Sequence, residues 1–357
     1  MFLHGCNYPW SAADGVVFYG LDFGRNVWGT HVGVSTRRRG VVRDLDAVAR
    51  LGFTTARWFV FADGRAGLVA DETGAPLGLD DRVCPDLDAA LETAALVGVK
   101  LHLVLFDHRW MFAGIRASVA DPVEGCVMEH VLPDGRAASF VTASGQRDLF
   151  DRVVAPLVTR YGRGGVRSDL GSAIRAWELM NEPDFVVAGW SVARRVRRAV
   201  PWVRFREAVA TCSDIVHGCS AALTSMAAAR QRHLRWWDDD GLGLDLLQLH
   251  CYPDRWRLSD PDLIGMSADA FGLHRPLLIG EVPANGPHCH PPGTWPPPTT
   301  LGQYLAHAVD AGYAGAWPWS FSGTDGYGPL PPEPLLRFAD DHPEHVHPRT
   351  GGPPLVP

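Results

Sequence analysis

Lysine is all but absent from this 357-residue chain: of its 33 basic residues only Lys100 is a lysine. A P-loop needs a Gly-Lys-Ser/Thr end to cradle phosphate, and Schiff-base or pyridoxal chemistry needs a lysine amine at the reacting face. Lys100 opens the strand-like run Lys100-Leu-His-Leu-Val-Leu-Phe106, at the end of a strand opposite to where α/β folds build their sites. Both classes fall away. Paired cysteines are missing too: the seven cysteines are an odd number with no Cys-x-x-Cys, which speaks against a disulfide framework and a zinc ribbon. Reduced thiols in a cytoplasm are the expectation. There is no excess of positive charge, because 40 acidic residues outnumber 33 basic ones and leave a net −7. No overall field invites nucleic acid or an anionic membrane, and a neutral ligand fits better. Nor does any segment approach the ~20 apolar residues of a membrane span, and the first ten residues lack the basic-then-apolar order of a signal peptide. A cytoplasmic location is therefore expected.

What is present is an ordinary globular composition, 46% hydrophobic and 20% charged, enough for a large core. A prior of roughly 150 residues per domain would suggest two domains. Barrels of alternating strands and helices, however, run from ~250 to beyond ~400 residues as one unit. Apolar, β-rich runs do alternate with helix-like runs here, eight times over, near residues 16–23, 54–61, 100–106, 173–180, 221–225, 244–250, 276–281 and 312–319. Between them, Val41-Val-Arg-Asp-Leu-Asp-Ala-Val-Ala-Arg-Leu51 and Asp86-Leu-Asp-Ala-Ala-Leu-Glu-Thr-Ala-Ala-Leu-Val97 place apolar residues three and four apart. The expectation is a single (β/α)8 TIM barrel over residues 1–342, with a Pro/Gly-rich tail at 343–357.

Two stretches break the rhythm, 107–145 and 282–300, each after a strand C-terminus, where a barrel shapes its cleft. The second contains His288-Cys-His290 among prolines. With no third ligand at recognisable spacing, it reads as a rigid loop rather than a metal site. The run Arg194-Arg-Val-Arg-Arg198 reads as a solvated patch.

The sharpest chemical feature is Trp177-Glu-Leu-Met-Asn181-Glu182-Pro183, an apolar strand ending in Asn-Glu-Pro. Three strands later, Pro276-Leu-Leu-Ile-Gly280-Glu281-Val282 ends another strand in glutamate. In an eight-stranded barrel those ends face each other across the mouth. Two carboxyls flanking a cleft are what glycosidic cleavage needs, one to protonate the leaving oxygen and one to attack the anomeric carbon or activate water.

On these residues the chain resembles glycoside hydrolase clan A, and most nearly family 5, the cellulase and mannanase family. The resemblance spans roughly residues 17–320. It implies Glu182 as acid/base, with Asn181 beside it, and Glu281 as nucleophile. Arg57 at the second strand, His108 after the third, His250-Cys-Tyr252 after the sixth and Trp319 after the eighth match in strand order. The segment Ala56-Arg-Trp-Phe-Val-Phe-Ala-Asp-Gly64 is similar to the second-strand region of family 5 mannanases. Physically, Arg57 and Tyr252 would hold Glu281 ionised, and its charge would raise Glu182. Asn181 suits a sugar 2-hydroxyl, and His250 and His108 suit orienting Glu182 or binding hydroxyls. Among the tryptophans near strand ends, Trp319 is the first choice for stacking on a pyranose, ahead of Trp28, Trp110 and Trp256.

The expected activity is retaining hydrolysis of a β-linked glucan, mannan or related oligosaccharide, with no cofactor and no metal. Transglycosylation through the same covalent intermediate is the alternative within enzymes. A barrel that binds carbohydrate without cleaving it is the alternative outside them, although a pure binder has no need of both glutamates. A metal-dependent barrel hydrolase would need His-x-His on the first strand, read here as Gly20-Leu-Asp-Phe-Gly24.

Overall fold

The apolar runs become eight parallel strands in the computed structural model, which describes residues 2–12, 17–120, 127–252, 263–284, 299–323, 329–351 and 353–355. They are β1 (Gly5–Asn7), β2 (Thr55–Phe59), β3 (Lys100–Asp107), β4 (Ile174–Asn181), β5 (Leu223–Ala228), β6 (Leu246–His250), β7 (Leu277–Pro283) and β8 (Ala316–Trp319). Each pairs with its neighbours in chain order. The ring closes between its ends, where Leu3 N donates to Ala314 O at 2.7 Å and Phe321 N to Asn7 O at 2.8 Å. This is a (β/α)8 TIM barrel. Strands buried on both faces need near-continuous apolar sequence, which is why runs such as Leu246-Leu-Gln-Leu stood out.

Helices α1 (Arg38–Arg50), α2 (Val83–Val97), α3 (Ala155–Tyr161), α4 (Trp202–Cys219), α5 (Leu301–Asp310) and α6 (Pro332–Asp341) lie between or after the strands. In α1 the buried apolar side chains are Val41, Leu45, Val48 and Ala49, one stripe turned toward the strands. Helix α2 stops at Gly98, whose left-handed φ of 81° closes the cap and turns the chain into β3. Helix α5 starts with a capping box, Thr300 and Gln303 each bonding the other's backbone N–H.

The first strand was misplaced by the sequence. It is Gly5–Asn7, not residues 16–23; residues 17–23 form no strand, and residues 13–16 lie outside the described part. A three-residue strand is too short to show a period, whereas the apolar Leu21 and Phe23 mimic one while plugging the core from a loop, Phe23 against Trp58 at 5.1 Å. Gly5 is required there: a Cβ would lie 2.6 Å from the Trp317 ring. The correct strand reads Gly5-Cys6-Asn7 and carries no His-x-His either. The fifth strand is displaced more mildly, at Leu223–Ala228 rather than 221–225.

The long segment after β3 folds into short helices and a two-stranded hairpin, Arg116–Ala120 with Val127–Val131. Described residues near the C-terminus pack back on the barrel. His347 N bonds Gly52 O at 2.7 Å, and Arg349 pairs with Asp46 of α1 at 2.9 Å.

Candidate active site

Glu182 and Glu281 meet at the C-terminal mouth of the barrel, as the strand count requires. One oxygen of each and a ring nitrogen of His250 lie within 4.8 Å of one another. Backbone irregularities cluster at this rim: the strand register shifts between Glu178 and Asn181, at Leu249/His250, and between Ile279 and Val282. Such bulges re-aim side chains at the end of a ladder. Glu182 itself sits in the left-handed region at φ 49°, ψ 53°, a strained conformation for a residue with a side chain and one held by the structure around it.

Arg57 on β2 organises the floor. Its Nη1 donates to Glu281 Oε1 at 2.8 Å and to Asn7 Oδ1 at 3.0 Å, while Nη2 donates to Asn181 Oδ1 at 2.8 Å. Tyr252 OH donates to the other Glu281 oxygen at 2.7 Å. Both Glu281 oxygens are thereby fixed. Asn181 gives one amide hydrogen to Asp107 Oδ2 at 2.8 Å and, having two, keeps another for the cavity. His250 Nδ1 lies 2.9 Å from Glu182 Oε1 and 3.3 Å from Glu281 Oε1, so one imidazole touches both carboxyls. His108 Nδ1 is 3.6 Å from Glu182 and 3.4 Å from Asp107, too far for a full bond to either.

These carboxyls open onto a cavity of about 130 Å³ also lined by Trp10, Tyr19, Phe59 and Trp319. Trp319 stands edge-on to Trp10 at 5.9 Å and to Phe59 at 6.2 Å, which locks its ring. A larger hollow of about 570 Å³, beside α5 and α6, lies away from the two glutamates and is the poorer candidate. Of the other tryptophans, Trp110 is fully buried with Nε1 bonded to Arg136 O and is unavailable to a sugar. Trp28 faces His130 of the hairpin at 6.3 Å rather than the cavity. Trp256 and His288-Cys-His290 lie outside the described residues.

Sequence reasoning overlooked a buried polar layer under the floor. Glu178, inside β4, receives Arg57 Nε at 3.0 Å and Nη2 at 2.7 Å, Gln248 Nε2 at 2.7 Å, and has His102 Nε2 at 3.0 Å. The signal was there: a glutamate within an otherwise apolar strand buried on both faces must have partners. Asn7, Trp10 and Tyr19 were missed because the first strand was misplaced.

The electrostatics differ from the simple expectation. Burial raises Glu281, and repulsion by Glu182 adds to it; together they outweigh the pull of His250, Arg57 and Tyr252 and hold the group above its ordinary value. Burial raises Glu182 as well, but the hydrogen bond and charge of His250, with the charge of His108, outweigh it and hold the group low. That is the reverse of the order expected from sequence. His250 is raised because, although burial lowers it, the Glu281 charge and the Glu182 hydrogen bond prevail. Two carboxyls sharing one imidazole titrate as a unit, so the proton's place within it depends on what fills the cleft. Glu178 stays well below its ordinary range despite burial, because Arg57 and His102 compensate it. Glu182, His250 and Glu281 are also the one metal-capable cluster among the described residues, although Arg57 and Tyr252 already occupy the Glu281 oxygens.

No protein-family model and no curated protein matches the sequence. Solved structures do match the fold. An endo-1,4-β-mannanase from Eisenia fetida aligns at TM-score 0.66 and 19% identity, covering 95% of this chain and 90% of that one. A β-1,4-mannanase from the sea hare Aplysia kurodai aligns at 0.67 and 17%, covering 100% and 95%. An exo-β-1,4-mannosidase from Opitutaceae bacterium strain TAV5 aligns at 0.58 and 15%, covering 98% of this chain and 60% of that one. At these identities the shared property is the barrel.

Proposed function

We propose that this chain is a retaining β-glycoside hydrolase of the family 5 kind, acting by double displacement on β-mannosides or related β-linked oligosaccharides. The observation that carries the reading is the approach of Glu182 and Glu281 to within 4.8 Å around His250. Retaining enzymes keep their carboxyls ~5–5.5 Å apart, whereas inverting ones leave ~6.5–9.5 Å for a water. Glu281 attacks the anomeric carbon, its oxygens oriented by Arg57 and Tyr252. A glycosidic oxygen lying against Glu182 draws the site's proton there, since only a protonated carboxyl can donate to it. The leaving group departs with that proton, and Glu182 then takes one from the water that releases the glycosyl-enzyme. The spare N–H of Asn181 meets the sugar 2-hydroxyl, and the locked Trp319 ring stacks beneath the sugar. The mannan preference draws on the mannanase-like second-strand segment and on the mannanases and mannosidases among the neighbours. Transfer to an acceptor sugar runs through the same intermediate and is the second reading.

The test is Glu281→Ala on an aryl β-mannoside, with aryl β-glucosides alongside. Turnover should fall by several orders of magnitude, and azide should restore it by giving a glycosyl azide of inverted configuration. Parent-like hydrolysis by this variant would reject the assignment.

A further inference from the structure

The loops at 185–200, after β4, and 229–237, after β5, carry seven arginines and no acidic residue, in a chain whose net charge is −7. They are adjacent on the mouth of the barrel, on the acid/base side of the cleft. A chain of ring contacts ties them to the chemistry. His108, beside Glu182, packs on Phe185 at 4.9 Å and on Phe112 at 5.4 Å. The Arg230 guanidinium lies over Phe185 at 5.6 Å, and that of Arg195 over Phe112 at 5.8 Å. A bridge between Phe112 and Val196 joins the two loops' wall to the segment after β3.

Three of the seven have partners elsewhere. Arg197 pairs with Asp134 at 3.0 Å, Arg195 donates to Gly114 O at 2.9 Å, and Arg232 bonds Ser191. Arg230 differs: it is half-buried, and among the described residues no carboxylate or hydrogen-bond acceptor meets its guanidinium. A half-desolvated guanidinium over an aromatic ring, with its donors unpaired, is suited to bidentate binding of an oxyanion.

We infer that the leaving-group side of the cleft accepts an aglycone bearing a compact oxyanion, a carboxylate or phosphate, with Arg230 as its receptor. This rests on the glycosidase reading and deepens it. The proton donor Glu182 stands between the glycone and the departing group, so the residues beyond it, away from Glu281, face the aglycone. A neutral glycone between Trp319 and Asn181 and an anionic aglycone at Arg230 would make the substrate an acidic β-glycoside rather than a plain mannan.

The experiment compares three disaccharides carrying the glycone that the aryl panel identifies, β-linked to glucose, to glucuronic acid and to glucose 6-phosphate. In the parent, kcat/KM for at least one anionic substrate should exceed the neutral one by tenfold or more, and the advantage should shrink with added salt. The better anionic arm tells carboxylate from phosphate. In Arg230→Gln the ratio of anionic to neutral kcat/KM should fall toward one, and in Arg230→Lys it should recover in part, as expected for a charge without the fork. A parent ratio near one, or a ratio that survives Arg230→Gln, would overturn this inference alone. A parent inert toward every aryl glycoside and all three disaccharides would overturn the glycosidase reading and this inference with it.

Discussion

Arg57 clamps Glu178 with two parallel donors, Nε at 3.0 Å and Nη2 at 2.7 Å, in a layer where neither side chain meets solvent. The same guanidinium holds Glu281, so one cation is divided between a carboxylate under the floor and one at the barrel mouth.

Glu178→Gln should therefore move the acid limb of kcat/KM to lower pH. Removing the Glu178 charge leaves Arg57 to Glu281 alone and relieves a repulsion, so Glu281 stays ionised further into acid. The variant should also lose about 3 kcal/mol of stability at neutral pH, the scale for breaking a buried pair. The sign follows from the depressed Glu178 value: its contribution is present above the ordinary glutamate range and lost as pH falls through the folded-state value. Urea unfolding at neutral and at low pH should show the difference between variant and parent closing in acid.

Tyr252→Phe should shift the same limb the other way. The lost hydroxyl had donated to ionised Glu281 at 2.7 Å, so the protonated form gains and activity fails at higher pH. A pH profile in which both variants move the limb in one direction would contradict this account of the floor.

Glu182→Ala should separate the acid from the nucleophile. With a good aryl leaving group the glycosyl-enzyme still forms, while substrates with poor leaving groups should slow by roughly 10²–10⁴. Azide should give product of retained configuration, opposite to that from Glu281→Ala, and anomeric analysis by NMR distinguishes them.

Chelation should leave activity unchanged, because two carboxyls and a shared imidazole suffice for the proposed steps. Added zinc should inhibit competitively instead, since Glu182, His250 and Glu281 converge within 4.8 Å and a metal there would block the sugar. Loss of turnover with a chelator, restored by zinc, would reject the cofactor-free mechanism.

The architecture was readable because strands buried on both faces cannot hide their composition. Seven of eight barrel strands announce themselves as apolar runs, and Asn181-Glu182 and Glu281 stand out as polar residues where such runs stop. β1 was unreadable for the complementary reason: three residues, one a glycine trimmed for Trp317, carry no period. Losing it hid Asn7 and the aromatic wall of Trp10 and Tyr19.

The sequence by itself determined the barrel, the two carboxyls and the strand ends that bear them, because periodicity and punctuation are local properties of a chain. Only the tertiary structure decided how Arg57 divides its charge, that His250 lies between both glutamates, and that Trp110 is core while Trp319 faces the cleft. It also decided that arginines from two loops gather beyond Glu182. These depend on distances between residues as far apart as 57 and 281. Coulomb energies and hydrogen bonds are set by such distances and by the water excluded between them, neither of which is written in the order of residues along the chain.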